Sequence, residues 1–402
     1  GSAMTMAAVI EDPTTAANAP ARSSGQHIAH VEVFHDLREV EPVWRSLETS
    51  QLSTPYQRFD FLSSWQRHVG TRTNLQPCMI VASDAGRRPL LLLPLAAGVE
   101  NGIRVARFMG GKHTTFNMAL WRQEFAATAT PADVDTLLHG IRDLPAKIDV
   151  LALTRQPQRW RDLQNPMALL PNQPSANGCP LMRMAPDAVP SERISNSFRR
   201  RLKGKERKLQ ALPGYRYCVA TTDAEITRMC DAFFAIKPLR MAAQKLPDVF
   251  ADPGVEDFLR AACLAPLAEG GHAIEIHALE CDAEVIAIFA GVADGQRFSM
   301  MFNTYTMSEN ARYSPGLILM RDIVDHYAGR GYTSLDLGIG SDDYKRLFCK
   351  DDEPIFDSYL PLTTRGRMAA LGMSSMARAK RFVKQTPALK RMAQTLRGAL
   401  RR

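Results

Sequence analysis

Asp336 stands between Leu335 and Leu337 in a stretch, Thr333 to Leu337, that reads as a β-strand. Side chains alternate across a strand, so the leucines face one way and the acid the other. Low polarity around such a carboxylate raises its pKa and suits it to act as general base toward an amine or hydroxyl. The competing reading is a structural carboxylate that caps backbone N–H groups of the next loop. Upstream, Ser314-Pro315-Gly316 opens a helix, with Ser314 as N-cap and Pro315 at the first helical position. The free N–H groups and dipole of a helix start attract an anion. Arg312 would add charge-assisted hydrogen bonds there, and Gly316 would allow close backbone approach; the competing reading is a plain helix cap. Asn303 and Tyr305 end a strand and are candidates to line an acceptor pocket. Lys345, on a short helix over 342–348, is either a phosphate or substrate contact or a solvated lysine, and Glu275 is a reserve base on a hairpin.

Other chemistries are disfavoured. The seven cysteines are scattered, with no CxxC, and the nine histidines form no HExxH-type pair, so neither a disulfide framework nor a metal site is expected. The longest apolar run, Pro89 to Val99, is too short for a membrane span. Net charge is +8, yet residues 365–402 hold eleven Lys and Arg and no acid; without them the chain stands at −3. The basicity therefore belongs to a tail. There Leu389, Met392, Ala393, Leu396 and Leu400 share a helical face, a pattern of membrane-surface helices or of helices packed on the protein body. A second basic segment, Ser197 to Leu209, reads as a helix that binds an anionic glycan, nucleotide or RNA, or simply bridges two domains. It has little aromatic interleaving, and no DNA partner is expected.

These residues must be placed by elements, and the elements repeat. A helix at Phe59–His68, a strand at 77–83, a turn and a strand at 89–96 recur about 197 residues later as Glu256–Gly270, 273–280 and 285–292. A period this long implies duplicated domains. In the second half the order is a strand at 215–220, helices at 223–236 and 253–269, and three antiparallel strands ending with 298–304. A helix at 314–329, a strand at 333–337, a short helix and a last strand at 355–360 follow. The expected organisation is an arm over 1–26 that begins with a cleavage remnant, Gly1-Ser-Ala-Met4, then a domain over 27–186. A basic linking helix over 187–212, a second domain over 213–362 and a basic amphipathic tail over 363–402 complete it. Gly110-Gly111-Lys112 is either a phosphate loop or a simple turn.

Phe198-Arg-Arg-Arg-Leu202, Tyr313-Ser-Pro-Gly-Leu-Ile-Leu319, and Leu335-Asp-Leu-Gly338 followed by Asp343-Tyr-Lys-Arg-Leu-Phe348 together resemble the CelD/BcsL-like acetyltransferases. That family is a GNAT branch related to the FemAB-type transferases. Thr54-Pro-Tyr-Gln-Arg-Phe59 and Leu92-Leu-Pro-Leu95 suit its first half, and the resemblance spans roughly 30–362. It implies an α/β (α+β) chain of two tandem GNAT-type domains, each a mixed, mostly antiparallel sheet flanked by helices. It implies acyl-CoA, acetyl-CoA above all, as donor, with pantetheine slotted between the strands ending near Thr304 and starting near Thr333 and the pyrophosphate on the helix at Ser314. Arg312, Ser314 and Gly316 would bind that cofactor, although the loop departs from the usual Arg/Gln-x-x-Gly-x-Gly/Ala by a glycine one position late. Tyr344 would protonate the leaving CoA thiolate. The acceptor would be a sugar or glycan precursor of exopolysaccharide, at the cytoplasmic side, with the tail on the inner membrane face. An aminoacyl-tRNA-dependent transferase and a catalytically degenerate scaffold of polysaccharide synthesis are the alternatives.

Overall fold

The computed structural model describes residues 27–49, 51–340 and 343–400; the arm over 1–26 lies outside them. The strands are β1 His30–Phe34, β2 Gln76–Ser83, β3 Pro89–Glu100, β4 Ile103–Phe108, β5 Val150–Pro157, β6 Gln173–Pro174 and β7 Cys179–Arg183, then β8 Arg216–Val219, β9 Glu275–Glu280, β10 Val285–Ala293, β11 Arg297–Tyr305, β12 Ser334–Asp336, β13 Asp351–Glu353 and β14 Ile355–Pro361. The helices used below are α1 Leu37–Glu48, α2 Phe59–Trp65, α3 Pro131–Arg142, α4 Asn196–Gln210, α5 Asp223–Ala243, α6 Val255–Leu264, α7 Pro315–Ala328, α8 Thr364–Gln385 and α9 Pro387–Leu400.

They build two sheets of one plan. The first runs β6-β14-β5-β4-β3-β2-β1, with Leu120–Trp121 pairing on β3; the second runs β8-β9-β10-β11-β12-β7-β13. Each is an antiparallel meander that meets one parallel pair, β4 with β5 and β11 with β12. The repeat seen in the sequence is therefore a structural repeat. Its halves meet where they are equivalent: Phe61 of α2 and Phe258 of α6 pack edge-to-face, centroids 5.4 Å apart, and Ser64 Oγ reaches the Phe258 carbonyl. Self-contact of matching residues marks a pseudo-two-fold axis between them. The approach is close, since a Cβ on Gly254 (φ +81°) would stand 2.2 Å from the His68 carbonyl oxygen.

Strand pairing crosses the expected domain bounds. Beside β5 in the first sheet lies β14, which belongs to the far end of the chain, and beside β12 in the second lies β7, from before residue 186. The halves exchange their closing strands, so spans 27–186 and 213–362 each supply one strand to the other sheet. Neighbouring sequence cannot report this, because both strands carry ordinary apolar patterns that either sheet would accept.

Two helix limits also differ from the sequence reading. α6 stops at Leu264, and α5 continues to Ala243 through Pro238. An interior proline removes one backbone donor and normally ends a helix. Here the added turns are held by their side chains: Lys237 Nζ donates to the Asn303 carbonyl at 2.8 Å, and Arg240 Nε donates to that of Tyr305 at 3.1 Å. The Arg240 guanidinium lies 3.6 Å over the Tyr305 ring. The extension thus fixes the end of β11, where two candidate site residues lie.

Candidate active site

β11 and β12 pair in parallel only from Arg297/Ser334 to Ser299/Asp336, and then part. Residues 300–305 of β11 continue past the point where β12 ends. A cavity opens on each side of this splay. One, of about 330 Å³, is lined by Phe289, Asn303, Tyr305, Ser314, Gly316 and Tyr344 among others. The second, of about 440 Å³, lies between the two halves; Asn303, Tyr344 and Lys345 meet Lys112, His113 and Arg155 there. Asn303 and Tyr344 line both, so they are the passage between them.

Of the sequence candidates, Asn303, Tyr305, Ser314, Gly316 and Tyr344 share the first cavity. A Cβ on Gly316 would meet one neighbour at ordinary contact distance, the Phe289 ring at 3.9 Å. Ser314 holds the expected N-cap position of α7 but does not cap it with its side chain. It sits at φ +52°, ψ +50° and turns its Oγ to Lys205 Nζ at 2.8 Å. A non-glycine residue in the left-handed region carries strain of about 1–3 kcal/mol. Pro315 has no N–H and the Leu317 N–H reaches the Ser314 carbonyl at 3.1 Å, so among the described residues the Gly316 N–H is the one in the first turn of α7 left without an acceptor, and Gly316 lines the cavity. The matching helix of the first half is different: α3 is closed by a capping box, Thr130 with Asp133. An open, anion-ready helix start therefore exists at α7 and is self-satisfied at α3. Arg312 is exposed and lines neither cavity, its guanidinium over the Tyr313 ring and 2.8 Å from that hydroxyl. Lys345 is buried and donates to the Ile339 carbonyl at 3.2 Å, on the second-cavity side. The short helix carrying Tyr344 and Lys345 is a 3-10 turn, Asp343–Leu347.

Asp336 does not face either cavity. It is fully buried; Oδ2 accepts from Arg297 Nε at 2.8 Å, while Oδ1 accepts from Ser299 Oγ at 2.8 Å and from the Gly338 N–H at 3.1 Å. Both oxygens are committed, and the bond to Gly338 is the loop-capping role weighed against catalysis. Arg297 also holds Glu353 bidentately at 2.7 and 2.9 Å. Burial pulls the Arg297 pKa down, but the charges of Asp336 and Glu353 outweigh it and hold the guanidinium above its ordinary value. The other face of Arg297 lies 4.9 Å over Phe116 and 5.1 Å over Trp160, and Tyr56 bonds Ser299 at 2.6 Å. This network joins the two halves directly beneath the splay. Glu275, the reserve base, hydrogen-bonds the Tyr327 hydroxyl at 2.5 Å and lines neither cavity.

Sequence reasoning missed Lys205 as a site residue and placed it only within a basic helix. α4 packs across the start of α7 and delivers its ammonium to Ser314, 109 positions away. It also missed His113 and Arg155. Trp65 Nε1, a donor only, points to His113 Nδ1 at 3.0 Å, which leaves the proton on Nε2, an atom buried with no protein partner. His113 therefore has no free lone pair to act as a base at the second cavity that it lines. Burial lowers its pKa to about 4. The unfolded chain takes up a proton near pH 6.5 that folded His113 refuses, so stability is lost as pH falls from about 6.5 toward 4. Burial holds His277 down as well, to about 3. Denaturant titration of His113→Gln at pH 7 and 4.5 should show a smaller acid loss than the parent, with the His277 share remaining.

A model of the acetyltransferase (GNAT) domain matches residues 196–346. The fold is a tandem pair of GNAT-type units. Three solved structures resemble it over nearly their whole length. FemX has TM-score 0.52 and 9% identity over 81% of this chain and 96% of that one. A conserved protein of unknown function from Bacteroides thetaiotaomicron has 0.51 and 10%, over 82% and 99%. A domain described as the C-terminal part (DUF2156) of a lysylphosphatidylglycerol synthetase from Agrobacterium fabrum has 0.50 and 11%, over 86% and 96%. At these identities the likeness concerns the fold. No curated relative matches the chain. Among the described residues no cluster of His, Cys, Asp and Glu could hold a metal, and no helix is long and apolar enough to cross a membrane. The GNAT match runs from α4 to the 3-10 turn of Tyr344, the stretch that carries Asn303, Tyr305, Arg312, Ser314, Gly316, Asp336, Tyr344 and Lys345 and leaves out Gly110-Gly111-Lys112 and the basic tail.

Proposed function

We propose that the chain is an acyltransferase that takes an acyl group, acetyl in the first instance, from an acyl-CoA bound in the first cavity and passes it to an acceptor in the second. The carrying observation is the pair of cavities that meet at Asn303 and Tyr344 beside the open start of α7. A thioester carbonyl held at that passage faces an acceptor from the other side of the splay. The nucleophile attacks the carbonyl carbon, the new C–N or C–O bond forms, the C–S bond breaks, and the nucleophile's proton balances the thiolate as CoA thiol. Tyr344 is the group positioned to protonate that sulfur. Among the described residues no carboxylate lines either cavity and His113 has no free lone pair there. An amine that loses its proton to water needs no further base, whereas a hydroxyl does, so the geometry favours N-acylation.

The diphosphate of the donor would lie at the start of α7, with Lys205 and Arg312 as its cations. Isothermal titration with acetyl-CoA and CoA tests this. Micromolar binding is expected, with Lys205→Ala and Arg312→Ala each weakening it about ten-fold, the scale of a charge-assisted hydrogen bond. Absence of binding at millimolar CoA sinks the donor assignment. A second reading, transfer from aminoacyl-tRNA, draws support from the likeness to FemX and to the lysylphosphatidylglycerol synthetase domain, which spans both halves and not the GNAT half alone. Binding of charged tRNA without CoA would favour it. A CelD/BcsL-type role on a glycan precursor, with residues 366–402 on an anionic membrane surface, completes the proposal for the cell.

A further inference from the structure

The acceptor side of the cleft does not close at Arg155. A third cavity, of about 390 Å³, lies between α8 and the first sheet and shares Arg155 and Ile339 with the second. These two side chains are the wall common to both. Arg155 stands at φ +56°, an unusual backbone state for a long side chain. Its N–H is held by Asp357 Oδ1 at 2.9 Å, an oxygen that also accepts from Ser175, and its guanidinium donates to the Gly111 carbonyl. Among the described residues it forms no ion pair, so its remaining N–H groups are available to an outside anion.

The outer wall of this third cavity is α8, with Met376, Lys380 and Lys384 lining it. Met376 is 74% exposed. Among the described residues, half of the fourteen exposed large apolar side chains lie in the last two helices: Met368, Leu371, Met376 and Phe382 on α8, and Met392, Leu396 and Leu400 on α9. Nine cations and no acid accompany them among the described residues 365–400. Apolar residues within a cationic surface complement an anionic lipid interface. Met376 puts an exposed apolar side chain at this cavity, beside Met373 and Ile339 in its lining, and that apolar lining favours an acceptor with an apolar part. A free phosphorylated sugar would need the arginine and would gain nothing from that lining.

We propose that the acceptor is a phosphate-bearing amphiphile, whose anionic head enters beneath α8 from a membrane surface and is held at Arg155 while its apolar part stays along Met376 and the exposed apolar side chains of the last two helices. This rests on the acyl-transfer reading above, and supplies its acceptor class. Soluble probes separate the sources of the chemistry: dihexanoylphosphatidic acid, dihexanoylphosphatidylcholine and inorganic phosphate, each below any micelle concentration, titrated calorimetrically into the full chain beside acetyl-CoA. The phosphatidic acid should bind at least ten-fold more tightly than either other probe. Met376→Asp, a surface change, should abolish that preference while leaving phosphate and acetyl-CoA binding intact; Arg155→Gln should weaken both phosphate probes about ten-fold. Equal affinity for phosphatidic acid and free phosphate overturns the amphiphile, and equal affinity for phosphatidic acid and phosphatidylcholine overturns the anion. Acetyl-CoA binding without phosphatidic acid binding overturns this inference alone. Phosphatidic acid binding without acetyl-CoA binding supports the site and sinks the donor reading instead.

Discussion

Arg297→Met should lower the unfolding free energy by about 3–5 kcal/mol, the cost of removing one member of a buried ion cluster. The guanidinium is 7% exposed and bonded to Asp336, fully buried, and to Glu353, 16% exposed. Methionine fills similar space between Phe116 and Trp160 but leaves both carboxylates without their cation. Urea denaturation checks the magnitude. The companion Asp336→Asn separates structure from catalysis. It keeps Arg297 with Glu353 and retains acceptors and donors of similar shape, so a smaller loss of stability is expected, with acetyl-CoA affinity unchanged. If the folded variant instead loses turnover by about a thousand-fold at normal stability, Asp336 is the base after all and the network account is wrong.

Tyr344→Phe should do the reverse. The ring that separates the two cavities remains and only the hydroxyl goes, so stability and acetyl-CoA affinity should stay within about two-fold, while kcat falls about 10²- to 10³-fold, the range for loss of a general acid. The split between parameters is the informative part. A rise in KM with unchanged kcat would show that Tyr344 shapes the passage and that the thiolate is protonated by water. Acyl transfer followed with a thiol-reactive dye under single-turnover conditions keeps product release out of the measurement.

Several elements of this account were legible from residues alone. The repeat of helix, hairpin and strand showed because each half must bury the same faces, and Phe61 and Phe258 keep their register across 197 positions. Whereas Tyr344 came from the family resemblance, Ser314-Pro315-Gly316 announced a helix start, and Asn303 and Tyr305 followed from their positions at a strand end. These are local signals, set by the period of a helix or strand and by proline and glycine geometry.

Other features needed the folded chain. The sequence reading left Asp336 open between base and structural carboxylate; Arg297, 39 positions upstream, decides it by occupying the carboxylate inside the core. Lys205 enters the site from a helix that reads only as basic, because its partner Ser314 is brought to it by packing. Arg155 and His113 come from a half whose own α3 helix start is capped shut, and they matter only because the pseudo-two-fold axis lays that half against the splay. The exchange of β7 and β14 is of the same kind: strand pairing is made by backbone groups that every residue carries, so sequence specifies that a strand forms and which face is apolar, whereas the sheet it joins is settled by long-range packing. By itself the sequence determined the repeat, the helix start at α7 and the basic tail; tertiary structure alone decided which charges are spent holding the halves together and which are left facing a ligand.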